Sequence, residues 1–207
     1  MDLKRFFDAV RVIHGHVLTV DQVGGINAIL DGWNAAGWKD PRWVAYMLAT
    51  THHETAKRMT AVRETLAGSD DEAVKILERA WAAGKLPWVK VPYWREDPIT
   101  GLHYFGRGLV QLTHKENYAK AGAKLGVELV YQPQLALRSD IAVQILIKGM
   151  VQGWFAGDSK GRHTLDRYFR EGVDDPIGAR RIINGQDKAR EIAALHGKFL
   201  AAIKGNE

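Results

Sequence analysis

Apolar residues recur every three or four positions through much of this chain, which is the spacing of helices packed on a common core. Between residues 20 and 33, for example, Val23, Ile26, Ile29 and Trp33 fall on one helical face. Hydrophobic residues make up 46% of the sequence and charged residues 26%, a balance typical of globular proteins and unlike that of disordered chains. We therefore expect a mainly α-helical globular protein.

Residues that favour helix starts and stops give approximate bounds for several of these helices. Asp40 and Pro41 predict the start of a helix whose apolar face extends to Glu54. Asp70 predicts a further start, and Gly84 predicts the end of that helix. Other helices are expected at about 114–125, 139–152, 175–183 and 187–203.

One stretch has a different pattern and predicts a small β-hairpin. Residues 88–96 are rich in aromatic and β-branched side chains, turn residues follow at 97–101, and 102–105 could return as a second strand. Pro92 requires an edge position, because proline cannot donate a hydrogen bond to a sheet. We expect one catalytic α+β domain over residues 1–207, with no separate cell-wall-binding module.

The absence of cysteine excludes several kinds of chemistry. Disulfides, zinc sites with cysteine ligands and thiol nucleophiles all require it. The eight histidines include no His-Glu-x-x-His motif, so a zinc hydrolase is a minor alternative. We expect neither a metal nor another cofactor.

The charge balance favours an anionic partner without identifying it. The net charge is +5, which suits nucleic acid, anionic lipid or cell-wall polymer. No basic stripe interleaved with aromatic residues appears, so nucleic-acid binding is disfavoured. No apolar run approaches the roughly 18 residues of a membrane-spanning helix, and the amino terminus lacks the apolar core of a signal peptide. We expect synthesis in the cytoplasm without independent export.

Two glutamates are candidates for acid and base catalysis. Glu54 lies near the end of an apolar helical face, where burial would raise its pKa and favour a general acid. Glu64 follows Lys57, Arg58 and Arg63, whose charges would favour an ionised base. Such a pair suits glycosidic-bond cleavage, which needs one carboxyl to donate a proton and another to activate water. On spacing alone, a helix-end hydrogen bond for Glu54 and a surface ion pair for Glu64 are the commoner explanations.

A second candidate region covers residues 104–118. Its glycines allow a tight backbone near a ligand, and Gln111, Thr113 and Asn117 offer the neutral donors and acceptors that bind sugars. The structural alternative is a turn followed by a helix capped by Thr113 and Glu116. The region lacks the further glycines of a dinucleotide motif and the lysine of a phosphate loop.

These residues belong to a series that resembles glycoside hydrolase family 19, the chitinases and the related endolysins of bacteriophages. The resemblance covers roughly residues 20–200. In lacking cysteine, and in continuing Glu54-Thr55 with Ala56-Lys57, the chain is more similar to the endolysins. The matching blocks, in order, are His52-His53-Glu54-Thr55, Tyr104-Phe105-Gly106-Arg107-Gly108-x-x-Gln111-Leu112-Thr113-His114-x-x-Asn117-Tyr118, Gly153-Trp154-Phe155-x-Gly157 and Ile183-Asn184-Gly185.

The resemblance implies a role for each matching residue. Glu54 matches the proton donor, Glu64 the general base, and Thr113 the hydroxyl that holds the attacking water. The family inverts configuration, so we expect the two carboxyls to lie about 6.5–9.5 Å apart. The residues expected to bind substrate include Gln111, Asn117, Asn184, His53 and Tyr104. Trp94 is added as a sugar-stacking candidate because it lies beside the hairpin turn, although most of the seven tryptophans are expected in the core.

The resemblance also implies a function and a fold. We expect a lysozyme-like α+β protein that hydrolyses the β-1,4 bonds of peptidoglycan as a muramidase, with chitin as the competing substrate. It would act as a monomer, without stable membrane insertion, and would wait in the host cytoplasm until a holin-type pore opens the inner membrane. A noncatalytic polysaccharide-binding protein is the alternative from another class, but Glu54, Glu64 and Thr113 are all retained.

Overall fold

Helices form most of the protein in the computed structural model, which describes residues 1–205. None of the helices in this range is both long and apolar enough to cross a membrane. The α-helices found there are α1 (Leu3–Ile13), α2 (Val20–Ala35), α3 (Pro41–Glu54), α4 (Asp70–Ala82), α5 (Lys115–Leu125), α6 (Ser139–Gln152), the single turn α7 (Leu165–Tyr168) and α8 (Ala189–Lys204).

Local capping explains where the predicted helices begin. The Asp40 side chain accepts a hydrogen bond from the backbone N–H of Arg42, and Pro41 occupies the first turn of α3, as predicted. At α4 the cap is Ser69 rather than an aspartate. The helices predicted at 20–33, 41–54, 70–84, 114–125, 139–152 and 187–203 are confirmed to within about two residues.

Two predictions of regular structure need correction. The helix expected at 175–183 is a shorter 3₁₀ turn, Gly178–Ile182. The hairpin expected over 88–105 does not form, although its turn does: Asp97 Oδ1 accepts the backbone N–H groups of Ile99 and Thr100. One backbone bond joins the Asp97 N–H to the Leu102 carbonyl, but the described flanking residues form no strand ladder, and side chains hold them, as when the His103 ring bonds the Trp94 carbonyl.

The strands that do form are short antiparallel pairs. The pair β1 (Val62–Arg63) and β2 (Arg107–Gly108) aligns Arg63 with Arg107. It stands immediately before Glu64, so a small β-pair does lie beside the candidate site, built from residues other than those predicted. The remaining pairs are β3 (Gly157–Asp158) with β4 (Gly161–Arg162), and β5 (Phe169–Arg170) with β6 (Val173–Asp174).

Helix α3 is the centre of the core. Every residue from Val44 to His52 is buried, and the helix packs against α2, α6 and α8. A smaller apolar cluster lies beside this core around Leu77, Trp94 and Phe105. Glu54 is the last residue of α3, so a helix packed on several sides carries it.

The loop that follows α3 packs directly onto α2 at Gly25. A Cβ at Gly25 would lie 1.9 Å from the Met59 carbonyl oxygen, whereas a Cβ at Gly24 would meet nothing within 4 Å. Met59 adopts a positive φ of 59°, and such strained backbone persists only where its surroundings hold it.

Alanine substitutions at these adjacent glycines should therefore have opposite effects. We expect Gly25→Ala to lower the free energy of unfolding by about 1–3 kcal/mol through overpacking. Gly24→Ala should be neutral or should stabilise by up to about 1 kcal/mol, because alanine favours a helix interior. Urea denaturation of both variants measures the difference, and equal stabilities would contradict this packing.

Candidate active site

A cleft of about 300 Å³ opens between the end of α3 and the start of α5. Polar side chains from separate parts of the chain meet along its walls. The predicted site residues that line it are Glu54, Gln111, Thr113, Asn117 and Asn184. The fold thus brings together residues that the sequence singled out in three different blocks.

Glu54 is anchored in this cleft by a buried arginine. Its Oε1 accepts a hydrogen bond of 2.6 Å from Arg180 Nη1, and Arg180 is itself almost fully buried. Arg180 Nε donates to the Asp187 carbonyl at 2.8 Å, which fixes the guanidinium. Glu54 lies at the end of an apolar helical face, as the sequence indicated, but the sequence did not reveal that Arg180 pairs with it from 126 residues away. Only Oε1 is engaged by described residues, so Oε2 is available to a ligand.

Glu64 opens a short 3₁₀ turn directly after β1 and is held from three sides. Its backbone N–H donates to the Gly106 carbonyl, and its Oε2 accepts the Gly106 N–H, both at 2.7 Å. Its Oε1 accepts a hydrogen bond of 2.5 Å from the Tyr93 hydroxyl. The expected cationic partners are absent among the described residues: Arg63 bonds Asp70 instead.

Tyr93 connects Glu64 to the cleft. It is one of the residues that line the cleft, and its hydroxyl donates a hydrogen bond to Glu64. Burial, together with the adjacent Glu64 carboxylate, raises the pKa of Tyr93 above its ordinary value. The hydroxyl therefore stays protonated over the physiological range and remains a donor.

Gln111 joins the β-pair to the cleft wall. Its Nε2 donates to the carbonyls of Val62, at 3.2 Å, and Gly108, at 3.3 Å. A Cβ at Gly106 would lie 2.7 Å from Gln111 Oε1 and 3.2 Å from Glu64 Oε2. A side chain at position 106 would therefore displace the Gln111 amide or the Glu64 carboxylate from its observed position.

Thr113 does not cap the helix that follows it. Its hydroxyl donates to the Gln111 carbonyl at 2.7 Å, and Asn117 Nδ2 donates to the Thr113 carbonyl at 2.8 Å. The cap residue of α5 is His114, which has a positive φ of 71° and no side-chain capping bond. The capping alternative is therefore wrong, and the hydroxyl lies in the cleft wall. The backbone of Gln111 is also in the left-handed region, with a φ of 53°. Backbone strain of this kind at non-glycine residues is concentrated at functional sites.

Arg107, between the two glycines of its block, is a structural residue. It is fully buried, and its Nη2 bonds Asp70 Oδ2 at 2.6 Å. The guanidinium lies 3.8 Å from the centre of the Phe105 ring and donates to the Tyr118 hydroxyl. Arg63 bonds the other Asp70 oxygen. This ion cluster holds β1, β2 and the start of α4 behind the site.

Three residues expected to bind substrate lie elsewhere. The expectation for Trp94 is wrong, since it is fully buried in the smaller cluster and its Nε1 donates to Glu78. Tyr104 is also buried, its hydroxyl donates to the Val130 carbonyl, and it is not among the residues that line the cleft. His53 lies in the last turn of α3, partly exposed, outside the residues that line the cleft.

The structure adds residues to the cleft that the sequence analysis did not assign. Tyr93, His114, Phe155 and Ile183 line it, and Arg180 anchors Glu54. His114, Phe155 and Ile183 belong to the motif blocks, so the blocks were a usable signal for them. Tyr93 and Arg180 gave no comparable signal. Within residues 1–205, no three metal-binding side chains of the His, Asp and Glu types come together.

Comparison with known proteins gives a family match over residues 26–161, more than half of the chain, to the model described as chitinase class I, glycoside hydrolase family 19. Two curated relatives match over shorter segments. Acidic endochitinase Q of Nicotiana tabacum is 42% identical over 52 residues, 25% of this chain and 19% of that protein. Chitinase 11 of Oryza sativa subsp. japonica is 59% identical over 32 residues, 16% of this chain and 12% of that protein. The chain therefore spans only a small part of these relatives.

A solved structure matches over most of the chain. Chitinase C from Streptomyces griseus HUT6037 superposes with a TM-score of 0.51 and 19% identity, covering 88% of this chain and 84% of that one. At this identity the likeness concerns the fold alone. It confirms the expected mainly helical, lysozyme-like α+β architecture.

Proposed function

Since the chain belongs to glycoside hydrolase family 19, the chitinase class I family, we propose that it is an endolysin that hydrolyses the β-1,4 bonds of peptidoglycan as a muramidase. The observation that supports a hydrolytic activity is the position of Glu54. It faces a cleft lined with Thr113 and amide side chains, and Arg180 anchors it there. Glu64 directly follows strand β1 and accepts hydrogen bonds from Tyr93, which lines the same cleft, and from Gly106.

The proposed reaction is a single inverting displacement. Glu54 delivers a proton from Oε2 to the glycosidic oxygen as the bond to the sugar carbon breaks. Glu64 takes a proton from a water molecule, whose oxygen bonds to the opposite face of that carbon. Thr113 orients this water. Glu64 suits the base role because the Tyr93 hydroxyl and the Gly106 N–H both donate hydrogen bonds to its carboxylate, which fixes the orientation of that group.

The same proposed reaction could cleave either peptidoglycan or chitin, since both are β-1,4-linked aminosugar polymers. The endolysin assignment rests on the lack of cysteine and on the sequence Ala56-Lys57 after Glu54-Thr55. The chitinase alternative has equal support from the names of the matching relatives. The polymers differ by a lactyl-peptide substituent on alternate sugars, so cleft shape decides between them.

Turnover of the two polymers, measured side by side, separates these functions. We expect the protein to release reducing ends from purified Gram-negative peptidoglycan much faster than from colloidal chitin. Cleavage of chitin alone would replace the endolysin proposal with the chitinase. Tight binding to either polymer without release of reducing ends would support a noncatalytic polysaccharide-binding protein.

As an endolysin, the protein would be made in the host cytoplasm and would act as a monomer on the periplasmic wall. It would depend on a holin-type pore in the inner membrane. We expect bacteria that express it alone to keep their turbidity, and the same cells to lyse when a pore-forming protein is co-expressed. Equal lysis without the pore would contradict this dependence.

The role of Thr113 is tested by two substitutions of similar size. Thr113→Val removes the hydroxyl but keeps the branched shape, and we expect kcat to fall by about 100-fold because the water loses its orientation. Thr113→Ser keeps the hydroxyl and should retain most activity. Both are assayed on soluble glycan strands, with circular dichroism to compare their folding. Wild-type kcat in Thr113→Val would exclude this role.

A further inference from the structure

The end of α4 and the segment that follows it carry positive charges without intervening negative ones. No acidic residue occurs between Glu78 and Glu96, while the intervening cations are Arg79, Lys85, Lys90 and Arg95. Arg95 is paired with Glu78. Within the described residues, the other three form no salt bridge and are exposed. We call residues 83–92 the Trp88 loop.

Two large apolar side chains project from this loop into solvent. Trp88 is 72% exposed and Val91 is 77% exposed. Ile99, in the turn that follows the loop, is 84% exposed. Among the tryptophans, the other exposed side chain is that of Trp38, at 40%. Exposed tryptophan and aliphatic residues beside unpaired lysines are a combination found where proteins contact a bilayer surface.

The packing of neighbouring loop residues explains why Trp88 and Val91 are exposed. Leu86 and Val89 point inward and pack against the smaller apolar cluster. The Val89 N–H donates to the Leu86 carbonyl, and Trp81 Nε1 donates to the Val89 carbonyl at 3.3 Å. Because these neighbours are anchored, Trp88 and Val91 are presented outward on a supported loop.

We propose that the Trp88 loop is a peripheral docking site for anionic phospholipid bilayers. Trp88 would sit at the headgroup level, Val91 and Ile99 would enter the acyl boundary, and Lys85 and Lys90 would contact lipid phosphates. The two aliphatic residues favour a bilayer over a glycan, because sugar rings stack on aromatic faces and gain little from valine or isoleucine.

The loop adjoins the candidate active site. Val91 and Tyr93 line a shallow depression together with His114, and Tyr93 and His114 also line the cleft that holds Glu54. A protein docked through this loop would hold its cleft close to the membrane surface. The inference depends on charge and exposure and is independent of which polymer is cut.

Vesicle sedimentation with the full chain tests this proposal. Binding is compared on vesicles of phosphatidylcholine alone and on vesicles that also contain phosphatidylglycerol. We expect binding to the anionic vesicles, weakened by salt. Replacing Lys85 and Lys90 with glutamine should weaken partitioning by about fivefold per lysine, and Trp88→Ser should weaken it further.

Matched variants elsewhere on the surface control for charge and hydrophobicity. Replacing Lys39 and Lys160 with glutamine makes the same charge change at exposed positions without salt bridges in the described chain. Val20→Ser matches Val91→Ser, because Val20 is 88% exposed. The proposal predicts wild-type binding for these controls. It is overturned if loop and control variants bind vesicles equally, if wild-type protein ignores anionic vesicles, or if the loop residues govern sedimentation with peptidoglycan alone.

Discussion

Glu54→Gln is expected to lower the turnover of the polymer substrate by about 10²–10⁴-fold, the usual contribution of a general acid. The substitution keeps the shape of the side chain and removes the proton donor. The amide oxygen can still accept the hydrogen bond that Arg180 Nη1 donates to Oε1. We therefore expect a folded protein with at most a modest loss of stability.

A substrate with an activated leaving group separates the two glutamates. An aryl glycoside whose phenolate leaves without protonation should restore much of the activity of Glu54→Gln. Glu64→Gln should stay inactive on it, because activation of water is still required. Kinetics of both variants on the aryl substrate and the polymer measure this contrast. Near-wild-type polymer turnover by Glu54→Gln would exclude it as the acid, and recovery of Glu64→Gln on the aryl substrate would exclude it as the base.

The second prediction with a large expected effect concerns the contribution of Arg107 to the stability of the fold. Arg107→Met should lower the free energy of unfolding by about 3–5 kcal/mol, since it breaks a buried ion pair and leaves Asp70 with Arg63 as its remaining cation. Methionine preserves apolar contact with Phe105, so the loss reports mainly on the charge. Arg138→Met is the matched control, because its pair with Asp140 is exposed and should be worth less than about 1 kcal/mol. Urea denaturation that gives equal losses would contradict the structural role of Arg107.

The ion cluster of Arg63, Asp70 and Arg107 also predicts how the stability of the protein depends on pH. Burial would raise the pKa of Asp70, but hydrogen bonds from Arg63 and Arg107 outweigh it and hold that pKa below its ordinary value of 3.8. Its contribution to stability is therefore present at neutral pH and is lost as the pH falls through the lowered pKa. The stability gap between wild type and Asp70→Asn should be widest near pH 7 and should shrink in strong acid. A gap that widens on acidification would contradict this linkage.

The helices were predictable because their signals are local. Asp40 and Pro41 start α3 through contacts within two residues, and apolar spacing fixes which face is buried. The hairpin expected near Trp94 failed for the opposite reason. Its aromatic residues suit a strand, but Trp94 packs into an apolar cluster and bonds Glu78 across the chain. Strand-like composition could not reveal these tertiary partners.

The site shows the same division between local and distant contacts. Glu54, Gln111 and Thr113 lie in blocks that resemble family 19, and the fold gathers them in one cleft. The partners of the glutamates could not be predicted. Arg180 reaches Glu54 from 126 residues away, and Tyr93 reaches Glu64 from 29. Of the cations near Glu64 in sequence, Arg63 bonds Asp70 instead, because β1 directs it there.

The most direct test of the proposed function is mass spectrometry of the products released from purified Gram-negative peptidoglycan, with Glu54→Gln as the inactive control. The proposal predicts muropeptides with N-acetylmuramic acid at the new reducing end, and at least about 100-fold less of them from the variant. N-acetylglucosamine at the new reducing end, or intact peptidoglycan beside digested chitin, would contradict it.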